Sequence, residues 1–131
     1  MKKDLINPES LGTPLGKYSN AVKVEISGAS LIFCTGQIAL NKSGEIVFPN
    51  DAKKQSEYIF ENIATILREA GASMNNVVKA TIYATDMAYF PAISEARNKY
   101  FASEPPASTF LEINRLVKEG AVVEIEVIAV A

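Results

Sequence analysis

Apolar and polar positions alternate with a period of two over much of this chain and with a period near 3.6 over two stretches. The pattern predicts strands interrupted by two helices. Residues 1–17 hold Pro8, Gly12, Pro14 and Gly16, an irregular arm with at most a short strand over residues 4–7. Over residues 18–26, Val22, Val24 and Ile26 alternate with Ala21, Lys23 and Glu25, the mark of a half-buried strand. A turn at residues 27–29 leads into residues 30–35, apolar on both faces and so a central strand. Gly36 and Gln37 connect this strand to a short extended piece at residues 38–40, and residues 41–44 carry turn chemistry.

The next stretch changes period. Asn50 or Asp51 can cap a helix on which Ala52, Ile59, Ile63, Ile66, Leu67 and Ala70 form one stripe. Lys53, Lys54, Glu57, Glu61 and Arg68 occupy the other side, and Gly71 sits at the C-terminal cap. Over residues 77–85, Val78, Ala80, Ile82 and Ala84 alternate with Val77, Lys79, Thr81, Tyr83 and Thr85, a strand. A second helix is expected over residues 88–101, with Pro91 in its first turn and Phe90, Ile93, Arg97, Tyr100 and Phe101 inward. Glu104-Pro105-Pro106 ends it. Residues 108–116 and 121–130 are expected as the last strands, joined by a turn at 118–120.

The order is strands, helix, strand, helix, two strands, without repeat or linker: one α+β domain over residues 1–131. Two helices cover only one face of such a sheet, yet several strands are apolar or small on both faces. The uncovered face must pack on something, so a homo-oligomer is expected, with a closed barrel as the alternative.

Composition narrows the chemistry. The 131 residues include no His and no Trp, and one Cys. That excludes Ser-His-Asp and Cys-His nucleophile systems and any His-bearing metal site. Cys34 alone forms neither an intrachain disulfide nor a Cys-rich metal site. The 13 Lys and Arg against 15 Asp and Glu give a net charge of −2, with no dense basic block, so nucleic acid is not the expected partner. The Lys53–Lys54 pair reads as a solvated first helical turn. Met1-Lys2-Lys3-Asp4 does not open a secretory signal, and no apolar run reaches the roughly 20 residues of a membrane span. With an unpaired thiol, the cytoplasm is the expected compartment.

Three segments could carry chemistry. Gly36, between Thr35 and Gln37, lets a ligand approach the backbone, or marks a bulge. Pro106-Ala107-Ser108-Thr109-Phe110 opens a strand with two hydroxyls, which a simple strand start also explains. Glu124 is a carboxylate in an otherwise apolar strand. With Glu126 it forms a solvated face; buried at a subunit contact, it would have a raised pKa and could activate a water.

Read in order, the segments Leu15-Gly16-Lys17-Tyr18, Cys34-Thr35-Gly36-Gln37-Ile38, Asn75-Asn76-Val77-Val78-Lys79, and Pro106-Ala107 through Glu112-Ile113, Arg115-Leu116 and Val123-Glu124-Ile125-Glu126 resemble the Rid (YjgF-like) family of reactive enamine and imine deaminases. That family also carries the labels L-PSP endoribonuclease and translation inhibitor. The resemblance spans essentially the whole chain. It implies a chorismate-mutase-like α+β domain: a mixed sheet with two helices on one face, three copies closing a central barrel as a homotrimer, and ligand clefts between subunits. It implies no metal and no cofactor, and a small-molecule metabolite as the partner: enamines and imines hydrolysed to keto compounds and ammonia. It maps the cleft onto Tyr18, Thr35, Gly36 (through its backbone amide), Gln37, Ser94, Ser108, Phe110 and Glu124, the last holding the attacking water. Phe90 and Thr109 flank these positions and join them as candidate ligand contacts.

The chain departs from the family motif Pro-Ala-Arg-Ser, because Ser108 stands at the arginine, and Ser94 replaces the usual Asn. A hydroxyl has neither the charge nor the fork of a guanidinium that clamps a carboxylate. The loss costs on the order of 2–3 kcal/mol, roughly a hundredfold in affinity. Of the arginines Arg68, Arg97 and Arg115, only Arg97, one turn from Ser94, could substitute. The leading function is therefore a Rid-type deaminase, and the alternative is a non-catalytic trimer binding a small neutral or polar metabolite. A ribonuclease, the third, lacks histidine and a basic stripe.

Overall fold

The longest helix, α1 (Ala52–Glu69), starts where the Asp51 carboxylate accepts a hydrogen bond from the Lys54 amide at 3.0 Å. It ends at Gly71, whose φ of +83° is open to glycine at no steric cost. There the Gly71 amide donates to the Arg68 carbonyl and the Ala72 amide to the Leu67 carbonyl, the paired bonds of a Schellman cap. Both termini lie where the sequence places them. The expected stripe is buried, and Gln55, Ser56 and Phe60 are buried with it.

A computed structural model describes residues 1–131. The strands are β1 (Lys3–Ile6), β2 (Ala21–Ile26), β3 (Ala29–Cys34), β4 (Val77–Ala84), β5 (Ala107–Glu112) and β6 (Val123–Val130), and the second helix is α2 (Phe90–Tyr100). They make one mixed sheet in the order β1-β2-β3-β6-β4-β5. Only the β4–β5 pair is parallel, because α2 carries the chain back across the helix-covered face between them. A single apolar core lies between that face and the helices, built on Ile32, Ile82, Ile125 and Val127 from the sheet and Ile59, Ile63, Leu67 and Ile93 from the helices. Burying each such side chain contributes about 1.5–3 kcal/mol. Phe60 joins the helices: its ring stacks on Tyr100 at 4.9 Å and meets Phe101 edge-on at 5.6 Å.

Several sequence expectations are corrected. In β2, the buried residue facing the helices is Ala21, while Ile26 is exposed. Pairing of Ala21 with the buried Cys34 sets the phase, so Val22, Val24 and Ile26 lie on the opposite face. In β4 the register slips between Val77 and Lys79, a bulge that buries Val77 and exposes Val78. The α2 region opens with a 3-10 turn at Met87–Tyr89, capped by the Asp86 carboxylate on the Ala88 amide. The helix proper buries Ile93, Ser94 and Ala96; Phe90 is exposed and Arg97 is only half-buried. Strand β5 stops at Glu112 rather than 116, since Glu112 turns its carboxylate to the Met87 amide and residues 113–122 run as loop until β6 starts at Val123 instead of 121. The piece at residues 38–40 is not a strand. It makes one isolated bridge, Leu40 to Ile46.

The sheet face away from the helices is apolar along a row through Leu5, Val22, Phe33 and Ile128. Leu5 and Phe33 are 61% and 43% exposed there, and Leu111 is exposed further along.

Candidate active site

The end of β3 places the site. Thr35 is held by two bonds to the preceding arm: its amide donates to the Asn20 carbonyl at 2.9 Å and its hydroxyl to the Ser19 carbonyl at 2.6 Å. Gln37 is held by exchanging both backbone bonds with Ile125 of β6, at 2.8 and 3.0 Å. Between these two anchored residues, the Gly36 amide donates to no group of the chain. Gly36 lies against the side chain of Glu124, so closely that a Cβ built on it would stand 2.7 Å from Glu124 Oε1. Space, rather than an unusual φ, favours glycine here, since any side chain at residue 36 would make the Glu124 carboxylate move.

Glu124 is half-buried on the face of β6 away from the helices, opposite Tyr83 of β4. Glu126, two residues on, accepts a hydrogen bond from the Tyr83 hydroxyl. The Glu61, Glu112 and Glu126 carboxylates all take a bond from the chain; Glu124 takes none. Burial, with the neighbouring Glu126 charge as the smaller cause, pushes its pKa above the ordinary carboxylate range.

Around this pair lies a pocket of about 420 Å³. Tyr18, Thr35, Gly36, Gln37 and Glu124 line it together, as the sequence groups them. Tyr18 is half exposed, and its hydroxyl accepts the Leu15 amide at 3.1 Å, which shapes the loop that forms one wall. The Thr35 hydroxyl donates to the backbone and the Gln37 amide group donates to the Thr35 carbonyl, so both spend donors on structure.

The other candidates do not reach this pocket within one chain. Phe90 and Phe110 pair edge-to-face at 4.9 Å between α2 and β5. Ser108 and Phe110 lie on the helix-side face of β5, in register with the buried Ala80 and Ile82. Thr109 points to the opposite face, in register with Thr81, and accepts a hydrogen bond from Lys79 Nζ. Ser94 is buried on α2, and its Oγ is a buried side-chain polar atom without a partner. The sequence grouped ten residues as one site; the chain holds them as separate sets. Sequence reasoning also missed Gly12, Asn20, Lys42 and Asn62, which line the pocket. The arm and the turn at residues 41–44 looked like connections, and only their glycines hinted at close packing.

The chain thus joins a mixed sheet backed by two helices to a pocket in which an unpartnered carboxylate lies beside a residue with a free backbone amide. The chain belongs to the family described as endoribonuclease L-PSP, whose model matches residues 9–131 and whose members include the Rid and RutC proteins. It is 42% identical over 130 residues to a RutC family protein of Pyrococcus abyssi, covering 98% of each chain. It is 33% identical over 129 residues to the 3-aminoacrylate deaminase RutC of Acinetobacter baylyi, again covering 98% of each. Its fold superposes on YyfA of Yersinia pestis, a protein of the conserved Rid family, with a TM-score of 0.87, 33% identity and 98% of each chain covered. None of the chain's helices is long and apolar enough to cross a membrane.

Proposed function

We propose that this protein hydrolyses small reactive enamines and imines to keto compounds and ammonia, in clefts between three copies of the chain. The observation that carries the reading is the Glu124 carboxylate, free of any bond from the chain and set against Gly36, whose backbone amide is unpaired. The deaminase name of the Acinetobacter baylyi relative supports the reaction class. Glu124 takes a proton from a water, whose oxygen forms a bond to the imine carbon while the C=N π electrons move to nitrogen, which collects that proton from Glu124. In the resulting carbinolamine Glu124 carries the hydroxyl proton to the nitrogen, the C–N bond breaks, ammonia leaves and the carbonyl forms. The Gly36 amide is placed to hold the oxygen of water or carbinolamine. An enamine first takes a proton on carbon, which protonated Glu124 can supply.

The homotrimer accounts for two features that one chain leaves open. The apolar row through Leu5 and Phe33 needs cover. The set of Phe90, Ser94, Ser108 and Phe110 lies apart from the pocket, and a neighbouring copy can bring it there. The test is ammonia release from freshly generated 2-aminoacrylate or 2-iminopropanoate. Release above the buffer rate, lost in Glu124→Gln, is expected; no release above buffer rejects the activity. A non-catalytic metabolite-binding trimer is what then remains.

A further inference from the structure

We infer that Lys42 binds the anionic group of the ligand, so that the pocket is built for a small carboxylate whose reacting carbon faces Glu124. This rests on the reading of the Gly36–Glu124 pocket as the substrate site. The lining of that pocket is electrically simple. Within one chain, Lys42 is its one cation and Glu124 its one acid; every other lining residue is neutral. A ligand with a negative charge at one end and a neutral, protonatable centre at the other is matched to these two walls.

Lys42 is also unengaged. The chain's two ion pairs are Lys2–Asp4 and Lys53–Glu95. Lys23, Lys79 and Lys118 donate to Ala70, Thr109 and Gly44, and Lys54 sits over the Phe48 ring. The Lys42 ammonium has no partner of either kind.

Its platform is held still. Asn41 Oδ1 accepts the amides of Ser43 and Glu45, each at 3.0 Å, and Lys118 Nζ clamps the Gly44 carbonyl at 3.0 Å. The Lys42 stem runs along Gly12, itself a pocket residue: a Cβ there would meet the Lys42 carbonyl oxygen at 2.7 Å and its Cγ at 3.3 Å. A lysine on a braced turn, with its stem against the pocket wall, presents its charge at lower entropic cost than a lysine on a mobile loop. Arg97 is the competing cation: within one chain it does not line the pocket and its Nε donates to the Asn98 side chain, and a neighbouring copy that brings Ser94 to the pocket would bring Arg97 with it, so the Arg97→Ala arm of the test separates the two.

The test titrates the full-length protein with 2-oxobutanoate, a stable carboxylate with oxygen in place of the imine nitrogen. Binding is followed by calorimetry and by the Gly36 amide resonance. Lys42→Ala is expected to weaken binding about tenfold to a hundredfold, with Lys42→Arg restoring it to within a few-fold and Arg97→Ala without effect. The uncharged 2-oxobutanamide should bind wild type and Lys42→Ala alike. Wild-type affinity in Lys42→Ala, a loss in Arg97→Ala instead, or no binding by the wild type overturns the inference. The two readings fail separately. Lys42-dependent binding without ammonia release removes the deaminase and leaves Lys42 in place, whereas ammonia release with one KM in wild type and Lys42→Ala does the reverse.

Discussion

Gly36 and Glu124 occupy space that a single methyl group would contest: a Cβ on residue 36 would lie 2.7 Å from Oε1 and 3.0 Å from Cδ of Glu124. The contested atoms are the far end of a flexible side chain, so the fold can yield where the carboxylate cannot stay. Gly36→Ala is therefore expected to leave Tm within about 3 °C of wild type. It should lower ammonia release about a hundredfold, since small displacements of a catalytic group cost on that order. Equal loss of stability and activity would show that Gly36 serves the fold alone.

The second prediction concerns pH. Burial and the Glu126 charge raise the Glu124 pKa, so the folded chain holds this proton more tightly than the unfolded chain does. The resulting stability penalty is absent below the ordinary carboxylate range. It grows as pH rises toward the folded pKa and is complete above it. Glu126→Gln removes the smaller of the two causes while keeping an acceptor for Tyr83. The acid limb of the pH–rate profile should then move to lower pH. An unmoved limb would assign it to a group other than Glu124.

Phe33 stands in the apolar row on the uncovered sheet face, 43% exposed. Phe33→Asp places a charge where a second copy is expected to pack. Light scattering should give the 14.2 kDa of one chain in place of a trimer, with ammonia release lost at the same time. A variant that remains trimeric places the subunit contact elsewhere.

Gln55 is fully buried on α1 and wholly satisfied. Its Nε2 donates to the carbonyls of Val47, Phe48 and Gly120, and its Oε1 accepts the Val122 amide at 3.0 Å. It fastens the segment where Phe48 and Asn50 adopt positive φ to the loop that enters β6. Gln55→Leu leaves the Val47 carbonyl and the Val122 amide without partners, while the Phe48 and Gly120 carbonyls keep the Asp51 and Asn50 amides; it should cost about 3 kcal/mol, a fall in Tm on the order of 10 °C by calorimetry.

Two kinds of information separate along these lines. The helix termini at Asp51 and Gly71, the α+β order and the Gly36 and Glu124 candidates are legible in the sequence. Each rests on local chemistry or short-range periodicity, which neighbouring residues carry by themselves. The phase of β2, the bulge at Val77–Lys79, the burial of Gln55 and the pocket wall at Gly12 and Lys42 were decided only by tertiary structure. In each of these a distant partner overrides local preference: Cys34 pairs with Ala21, four backbone groups converge on Gln55, and the Lys42 carbonyl approaches Gly12. A sequence displays which residues are able to do chemistry; which of them share a solvent-shielded space depends on long-range pairing that a one-dimensional pattern does not encode.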